Sequence, residues 1–327
     1  MPRIVRGVCT RPVSYTLIPV KVLVSGGAGF IGSHIVDALV GRGDEVLVLD
    51  NLSTGESGHV NPAATFRTAD IREPEAAALA REWRPDVICH HAAQMSVSRS
   101  VREPLFDAGV NLVGGLHLLE VAREVGARFL FASTGGAMYG DADVLPTPET
   151  YPAWPVSPYG VAKLSFEHYL YCYGVQHGLR YVALRYANVY GPRQNPHGEA
   201  GVVAIFCLKL LAGQQAVING DGKYTRDYIH VDDVVRANLA ALDAEDVTGH
   251  FNVGTGRQVD VNRVFELVRE MIGIPAPEVH GPARAGDQRT SALDATLIGE
   301  RLGWRPQVAL EDGLEGTVAW FRERAGA

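Results

Sequence analysis

The chain has 327 residues, a formal net charge of −7 and 46% hydrophobic residues, enough apolar material for one large α/β unit or two unequal ones. The acidic balance gives no basic footprint for nucleic acid, and no apolar run reads as the roughly eighteen residues of a membrane helix. Cys9, Cys89, Cys172 and Cys207 are scattered with no CxxC pair, so neither a zinc site nor a disulfide framework is indicated, and a reducing, cytoplasmic setting is expected.

Residues 1–19 contain Arg3, Arg6, Arg11 and three prolines but no acid. They read either as a disordered arm or as a stretch ahead of a true start at Val20; their apolar runs are too short for a secretory leader. The first strand is expected over Val20–Ser25. It ends at Gly26-Gly27-Ala28-Gly29-Phe30-Ile31-Gly32, after which a helical pattern continues to Val40. In this strand, turn and helix, Gly26 permits the tight bend, Gly29 lets backbone approach a pyrophosphate and Gly32 allows close helix packing. A second strand, Glu45–Leu49, ends at Asp50, close to the position expected of an acid that binds an adenosine ribose diol. Asp50 would repel a 2′-phosphate, which favours NAD over NADP; the alternative is a cap for the turn Asn51-Leu52-Ser53-Thr54-Gly55.

Further strands are expected at Thr65–Ala69, followed by Asp70-Ile71, and at Val87–His91, followed by Ala92-Ala93-Gln94. Asp70 at a strand's C-terminal edge can accept from an adenine amine, and the small residues after His91 leave room for a cofactor. His90 and His91 point to opposite faces of a strand and read as core histidines rather than metal ligands. One long helix is expected from Pro104 to Val125. The next strand, Arg128–Ser133, delivers Thr134 and the loop Gly135–Gly140 to the same edge, where ligands gather in open α/β sheets.

Ser157-Pro158-Tyr159-Gly160-Val161-Ala162-Lys163 then opens a helix with Tyr159 and Lys163 on one face. A tyrosine titrates near ~10 when unperturbed, so an ammonium beside it, joined by a cationic nicotinamide, would bring the phenol into range as a base. With only four lysines in the chain, the pairing stands out, although YxxxK alone is a weak signal. Arg180–Arg185 forms the next strand. Further elements are expected at Val217-Ile218-Asn219, at Tyr228–Val234 as strand into helix, and over Glu311–Arg324 as a helix.

With GGAGFIG, LDNLSTG, ADI, HHAAQ, STGGAMYG, SPYGVAK, RYANVYGPRQ, GDGKYTRDYIHVDDV and RAGD in order, the sequence resembles the extended short-chain dehydrogenase/reductase family, and within it the UDP-glucose (UDP-galactose) 4-epimerases. The resemblance covers nearly everything after residue 20. It implies an α/β fold with a Rossmann-type doubly wound parallel sheet at 20–186 and 228–256, and a smaller, discontinuous α/β unit for a nucleotide-sugar at 187–227 and 257–327.

It also implies bound NAD, held by Gly26, Gly29, Phe30, Ile31, Gly32, Asp50, Asn51, Ser53, Thr54, Gly55, Asp70, Ile71, His91, Ala92, Ala93, Gln94, Ser133, Tyr159, Lys163, Tyr186 and Ala187. Thr134, Tyr159 and Lys163 are the implied catalytic groups. For a UDP-sugar the resemblance points to Thr134, Asn188, Val202, Val203, Val217, Asn219, Arg226, Arg284, Asp287 and Ser291, the last leaving room for N-acetylated hexoses. No metal is implied.

Related 4,6-dehydratases place an Asp-Glu pair after the threonine, where this chain has Gly135-Gly136; the related decarboxylases place a glutamate in that loop, and it is missing too. What remains is hydride removal and return. A net dehydrogenase or reductase, or an enzyme acting on UDP-glucuronate, shares the same cofactor motifs, whereas a non-enzymatic NAD-sensing module would lack the Tyr159 and Lys163 pair. A homodimer is implied through a four-helix interface burying Phe106, Phe166, Tyr169, Leu170 and Tyr173, for which packing inside the subunit is the alternative.

Overall fold

The computed structural model describes residues 19–196, 201–283 and 288–326. Residues 1–18, most of the expected arm, lie outside them. The first part of the chain runs β1 (Lys21–Ser25), α1 (Phe30–Arg42), β2 (Glu45–Asp50), β3 (Thr65–Thr68), α2 (Pro74–Trp83), β4 (Val87–His90), α3 (Val97–Arg102), α4 (Pro104–Ala108), α5 (Gly115–Val125), β5 (Arg128–Thr134), α6 (Pro158–His177) and β6 (Tyr181–Tyr186). It continues through β7 (Asn188–Tyr190), α7 (Val202–Leu211), β8 (Ile218–Asn219), β9 (Thr225–Arg226), β10 (Tyr228–His230), α8 (Val231–Asp243) and β11 (Gly249–Val253). The last elements are β12 (Val259–Asp260), α9 (Val261–Ile272), β13 (His280–Gly281), α10 (Thr296–Leu302) and α11 (Leu310–Ala325).

Seven strands form one all-parallel sheet in the order β11-β6-β5-β4-β1-β2-β3. β4 and β6 are buried at every position, as near-continuous apolar runs between two helical layers must be. One layer buries Val24, Ile35, Val36, Leu130 and Val234; the other buries Leu23, Leu119, Phe129, Phe131 and Phe166. Strand order reverses between β1 and β4, which opens a crevice at the C-terminal edge of the sheet. At the other end Arg128, buried, donates to the carbonyls of Ala241, Leu242, Ala244 and Val247, a cation on the C-terminal turn of α8.

The later segments build a third core from Val203, Phe206, Leu210, Phe265, Val268, Leu314 and Phe321 on α7, α9 and α11. Short ladders link it: β8 with β13, β9 with β12, and β7 with β10. The last ladder joins a segment expected on the sugar side to one expected on the dinucleotide side.

The long helix expected over 104–125 is helical throughout, but its turns widen to a π-helix over Gly109–Gly114. A Cβ on Gly114 would stand 2.9 Å from Ile71, and one on Gly115 would stand 2.6 Å from Phe166, so glycines let the widened turn press against its neighbours. By length and composition this helix could cross a membrane, contrary to the expectation from sequence; here it packs against α2 and α6, and Leu118 and Leu119 are core residues. Phe166 and Leu170 are 0% exposed within the subunit and cannot be interface residues, which corrects the expected interface set. They lie on the face of α6 turned to the sheet. Phe106 lies between the guanidinium groups of Arg72 and Arg99, 5.1 and 4.0 Å from its ring centre. Leu105, Val113, Val161, Tyr169, Tyr171 and Val175 are exposed apolar side chains of these helices.

Candidate active site

The glycine turn sits at the sheet edge beside the crevice. Gly26 has φ of 73°, and a Cβ there would fall 2.5 Å from the backbone nitrogen of Ala92, so the turn and the segment after β4 touch through backbone. A Cβ on Gly32 would lie 2.2 Å from the Gly26 carbonyl oxygen. Gly32→Ala is therefore expected to push α1 off the turn and to weaken dinucleotide binding at least tenfold by titration calorimetry. Helix α1 begins at Phe30 with no capping side chain and no acid in its first turn, which leaves its N-terminal amides and dipole for an anion.

Asp50 is buried and caps this turn: its carboxylate accepts from Ala28 N at 3.0 Å and Leu52 N at 2.8 Å. The cap foreseen as an alternative is thus realised, and each oxygen keeps a lone pair for a diol. Asn51 bonds its own turn at Ser53 N and reaches Asp70, whose carboxylate is held far below the usual range chiefly by the Arg72 guanidinium, with Asn51 adding a bond. Gly55 packs on Ala28, and Ser53 and Thr54 lie exposed beside it. The carbonyl of Ile71, a buried residue, accepts from His117 Nδ1 at 3.1 Å.

Across the crevice, His90 is buried among Phe129, Phe131 and Phe166 and bonds Ser25 Oγ at 2.6 Å. His91 stacks on Tyr186 with its Nε2 3.2 Å from the phenol oxygen, and its Nδ1 is buried without a partner. Burial holds His91 down at about 4, so it is a neutral ring. Ala92 and Ala93 keep the edge open. Gln94 spends its carboxamide on Ser96 and Asp107, so its side chain is part of the wall. The chain thus offers a dinucleotide a glycine cradle, a helix N-terminus without a capping side chain, an acid at the end of β2 and another after β3.

Ser157 caps α6 by accepting from Gly160 N, and Pro158 takes the first helical position. Tyr159 and Lys163 follow on one face. Thr134 ends β5, and its hydroxyl accepts from Ala137 N at 3.2 Å and stands close enough to the Tyr159 phenol to favour its ionised form. Lys163 and a cationic nicotinamide together are expected to lower the phenol, and the chain's own burial works the other way. Burial pushes Tyr159 up to about 12, with Thr134 pulling down and Asp107 pushing up. Lys163 Nζ instead donates to the Ala132 carbonyl at 2.8 Å and lies 6.0 Å from the Tyr159 ring centre.

Lys163 is 3% exposed, and burial lowers it from 10.5 to about 8. An unfolded lysine keeps its proton up to 10.5, so between pH 8 and 10.5 the unfolded chain binds one more proton, and stability rises with pH. The unfolding free energy of the wild type relative to Lys163→Met is therefore expected to gain about 3 kcal/mol between pH 7 and 11, measured by urea titration.

Behind the trio lie residues that no motif announced. Ser133 Oγ donates to Glu167 at 2.5 Å, and Glu167 takes Arg185 through Nε and Nη2. Arg185 Nη1 reaches Tyr139 OH at 2.8 Å, which donates to Asn252 Oδ1 at 2.7 Å. This buried chain fixes the loop after Thr134. Tyr186 is likewise held, by Asn238 Nδ2 at 2.8 Å, and Ala187 N donates to the Val253 carbonyl. Asp227, also buried, accepts from Thr255, Gly256 N and Leu293 N. Leu293 in turn covers Gly135, where a Cβ would fall 2.3 Å from Leu293 Cδ1.

On the sugar side, Asn188 opens β7 with its Oδ1 3.5 Å from where Gly136 would carry a Cβ, so it stands beside the Thr134 loop. Val202 and Val203 open α7, again without a capping side chain or first-turn acid. Val217 is exposed just ahead of β8, which contains Asn219; Ser291 is buried, its N donating to the Thr225 carbonyl. Arg226 on β9 finds only the Thr225 carbonyl and no carboxylate among the described residues. Arg284 and Asp287 lie outside the described residues.

Residues 22–254 match the NAD dependent epimerase/dehydratase family. A UDP-glucose 4-epimerase of Mycolicibacterium smegmatis is 46% identical over 93% of this chain and 99% of its own. The crystal structure of a UDP-glucose 4-epimerase with UDP-glucose from Thermotoga maritima is 51% identical, with a TM-score of 0.90 over 93% of this chain and 99% of that one. A Thermus thermophilus UDP-glucose 4-epimerase in complex with NAD is 47% identical, with a TM-score of 0.88 over 92% and 99%. With the sheet, the glycine turn and the Tyr159, Lys163 and Thr134 cluster in place, the chain belongs to the NAD dependent epimerase/dehydratase family.

Proposed function

We propose that the protein is an NAD-dependent UDP-hexose 4-epimerase, which interconverts UDP-glucose and UDP-galactose by inversion at C4. The observation that carries this reading is the edge itself. Thr134 and Tyr159 are hydroxyl neighbours beside a buried lysine, in a loop where glycines stand at both positions of the acid pair that elimination needs and Leu293 fills the space over the first, Gly135. The relatives named above carry the same activity in their names.

The Gly26 to Gly32 turn, Asp50, Asn51, Asp70 and the wall at His91 to Ala93 would hold NAD. Bound NAD supplies a reversible hydride acceptor for the sugar carbon. Tyr159 Oη takes the proton of the 4-hydroxyl and returns it, and Thr134 Oγ1 passes its hydrogen bond between the sugar oxygen and the phenol. Lys163 provides the positive field in the same enclosure. Asn188, the start of α7 and Arg226 hold the nucleotide diphosphate, so the sugar stays free to present either face. The small Ser291 supports acceptance of N-acetylated hexoses. A cytoplasmic homodimer meeting through the exposed faces of the 104–125 helix and α6 fits the scattered cysteines and the apolar side chains there.

Incubation of the purified protein with UDP-galactose, UDP-N-acetylgalactosamine or UDP-galacturonate, followed by proton NMR, tests the reading. The 4-epimer appears from at least one of them without net NADH. Stoichiometric release of NADH would instead identify a dehydrogenase.

A further inference from the structure

Asp107 is a buried carboxyl group, pushed up by burial and pulled back by Gln94 and Asn111, that neither the cofactor motifs nor the sugar-binding residues use. It lies near the end of α4, 1% exposed, and its Oδ1 accepts from Gln94 Nε2 and Asn111 Nδ2, each at 2.8 Å. Asn111 sits in the π-helical turn, and its amide also bonds both backbone groups of Gln94. The carboxylate is thus fixed by two amides, while Oδ2 is buried with no partner.

α4 packs against α6, which carries Lys163 and Tyr159, as well as against α3 and the π-helical turn. The Lys163 ammonium has a single hydrogen bond, to a carbonyl. The other carboxylate near it, Glu167 on its own helix, is committed to Arg185 and Ser133. His90 and His91 face the ammonium from β4, and both are held neutral by burial. Asp107 acts on Lys163 and Tyr159 alike through the low-dielectric interior, raising the proton affinity of each. It is the carboxylate of this enclosure with no cation bonded to it.

We propose that Asp107 is a positioning residue for the inversion, a fixed counter-charge, clamped by Gln94 and Asn111, that keeps Lys163 an ammonium and sets the basicity of Tyr159 without acting on the reacting atoms. Its kinetic consequence rests on the epimerase reading; its effect on Lys163 does not.

Asp107→Asn keeps the shape and removes the charge, and Asp107→Ser removes it while leaving room for a water. In the cofactor-free protein, the Lys163 titration followed by NMR of labelled lysine moves down by about one pH unit or more in both variants. In the loaded enzyme both limbs of the kcat profile with UDP-galactose move to lower pH by a similar amount, so that kcat at the alkaline limb falls about tenfold while the KM for the sugar nucleotide stays. A Lys163 titration that does not move overturns the proposal, as does a uniform loss of kcat with both limbs in place. If neither variant folds, Asp107 is structural and the proposal is wrong. A wild type that turns over no UDP-sugar defeats the epimerase reading alone, since the lysine titration still decides the role of Asp107.

Discussion

Tyr159→Phe lowers kcat for UDP-galactose inversion by about 10²–10⁴-fold, the range a positioned proton-transfer group contributes. The ring remains, so the contacts of α6 with the sheet stay, and NAD content and the KM for the UDP-sugar change little; only the atom that exchanges a proton with the 4-hydroxyl is lost. Thr134 is left without its phenol partner but keeps the Ala137 bond that sets the loop. Steady-state kinetics and cofactor release on denaturation measure the two quantities separately. Wild-type turnover in the variant would show that the proton leaves by another group, and a parallel loss of NAD would show that the phenol is structural.

Glu167→Leu destabilises the fold by about 3–5 kcal/mol, because it strands the Arg185 guanidinium in a buried position with only Tyr139 to meet it. The double variant Glu167→Leu with Arg185→Met recovers most of that loss, since no charge is left uncompensated. Urea unfolding of the four proteins closes the cycle. A single variant as stable as the wild type would mean that water reaches Arg185. The double variant should still turn over more slowly than the wild type, because Ser133 and Tyr139 lose the groups that hold the loop after Thr134.

What could be read in the sequence follows from the range of each interaction. Strand, turn and helix at residues 21–42 are local, and the glycine positions carry the constraint themselves: Gly32 is required by an oxygen six residues earlier. The face shared by Tyr159 and Lys163 is a matter of helical spacing. The state of those two groups is not, because it depends on burial and on Asp107, which comes from a different helix and has no spacing relation to either. The bond of the ammonium to the Ala132 carbonyl likewise comes from β5, beyond the reach of helical spacing.

The π-helical turn escaped for a similar reason. Within it Asn111 makes two hydrogen bonds to the backbone of Gln94, a contact across 17 residues that apolar periodicity does not register. Phe166 and Leu170 were assigned to a subunit contact because a helix pattern gives an apolar face and not its partner. Asp107 stands four residues before Asn111, a helical spacing that by itself does not single it out among the polar residues of this helix. Glu167 and Arg185 offered no such clue, since they meet only once the sheet has formed.

The last strand of the large sheet, β11, comes from residues 249–253 and lies along β6. Without it, the backbone groups of β6 that face it would be an open edge, a template on which a second unfinished chain can pair. A nascent or truncated protein ending after β6 carries such an edge together with an unfilled helical layer, because α8 is also still to come. The cofactor half therefore cannot mature ahead of the rest. Its completion waits for segments that pass first through the sugar-side core, so proteolytic clipping between residues 187 and 248 leaves two fragments bound to each other through β6 and β11, and neither is a finished unit.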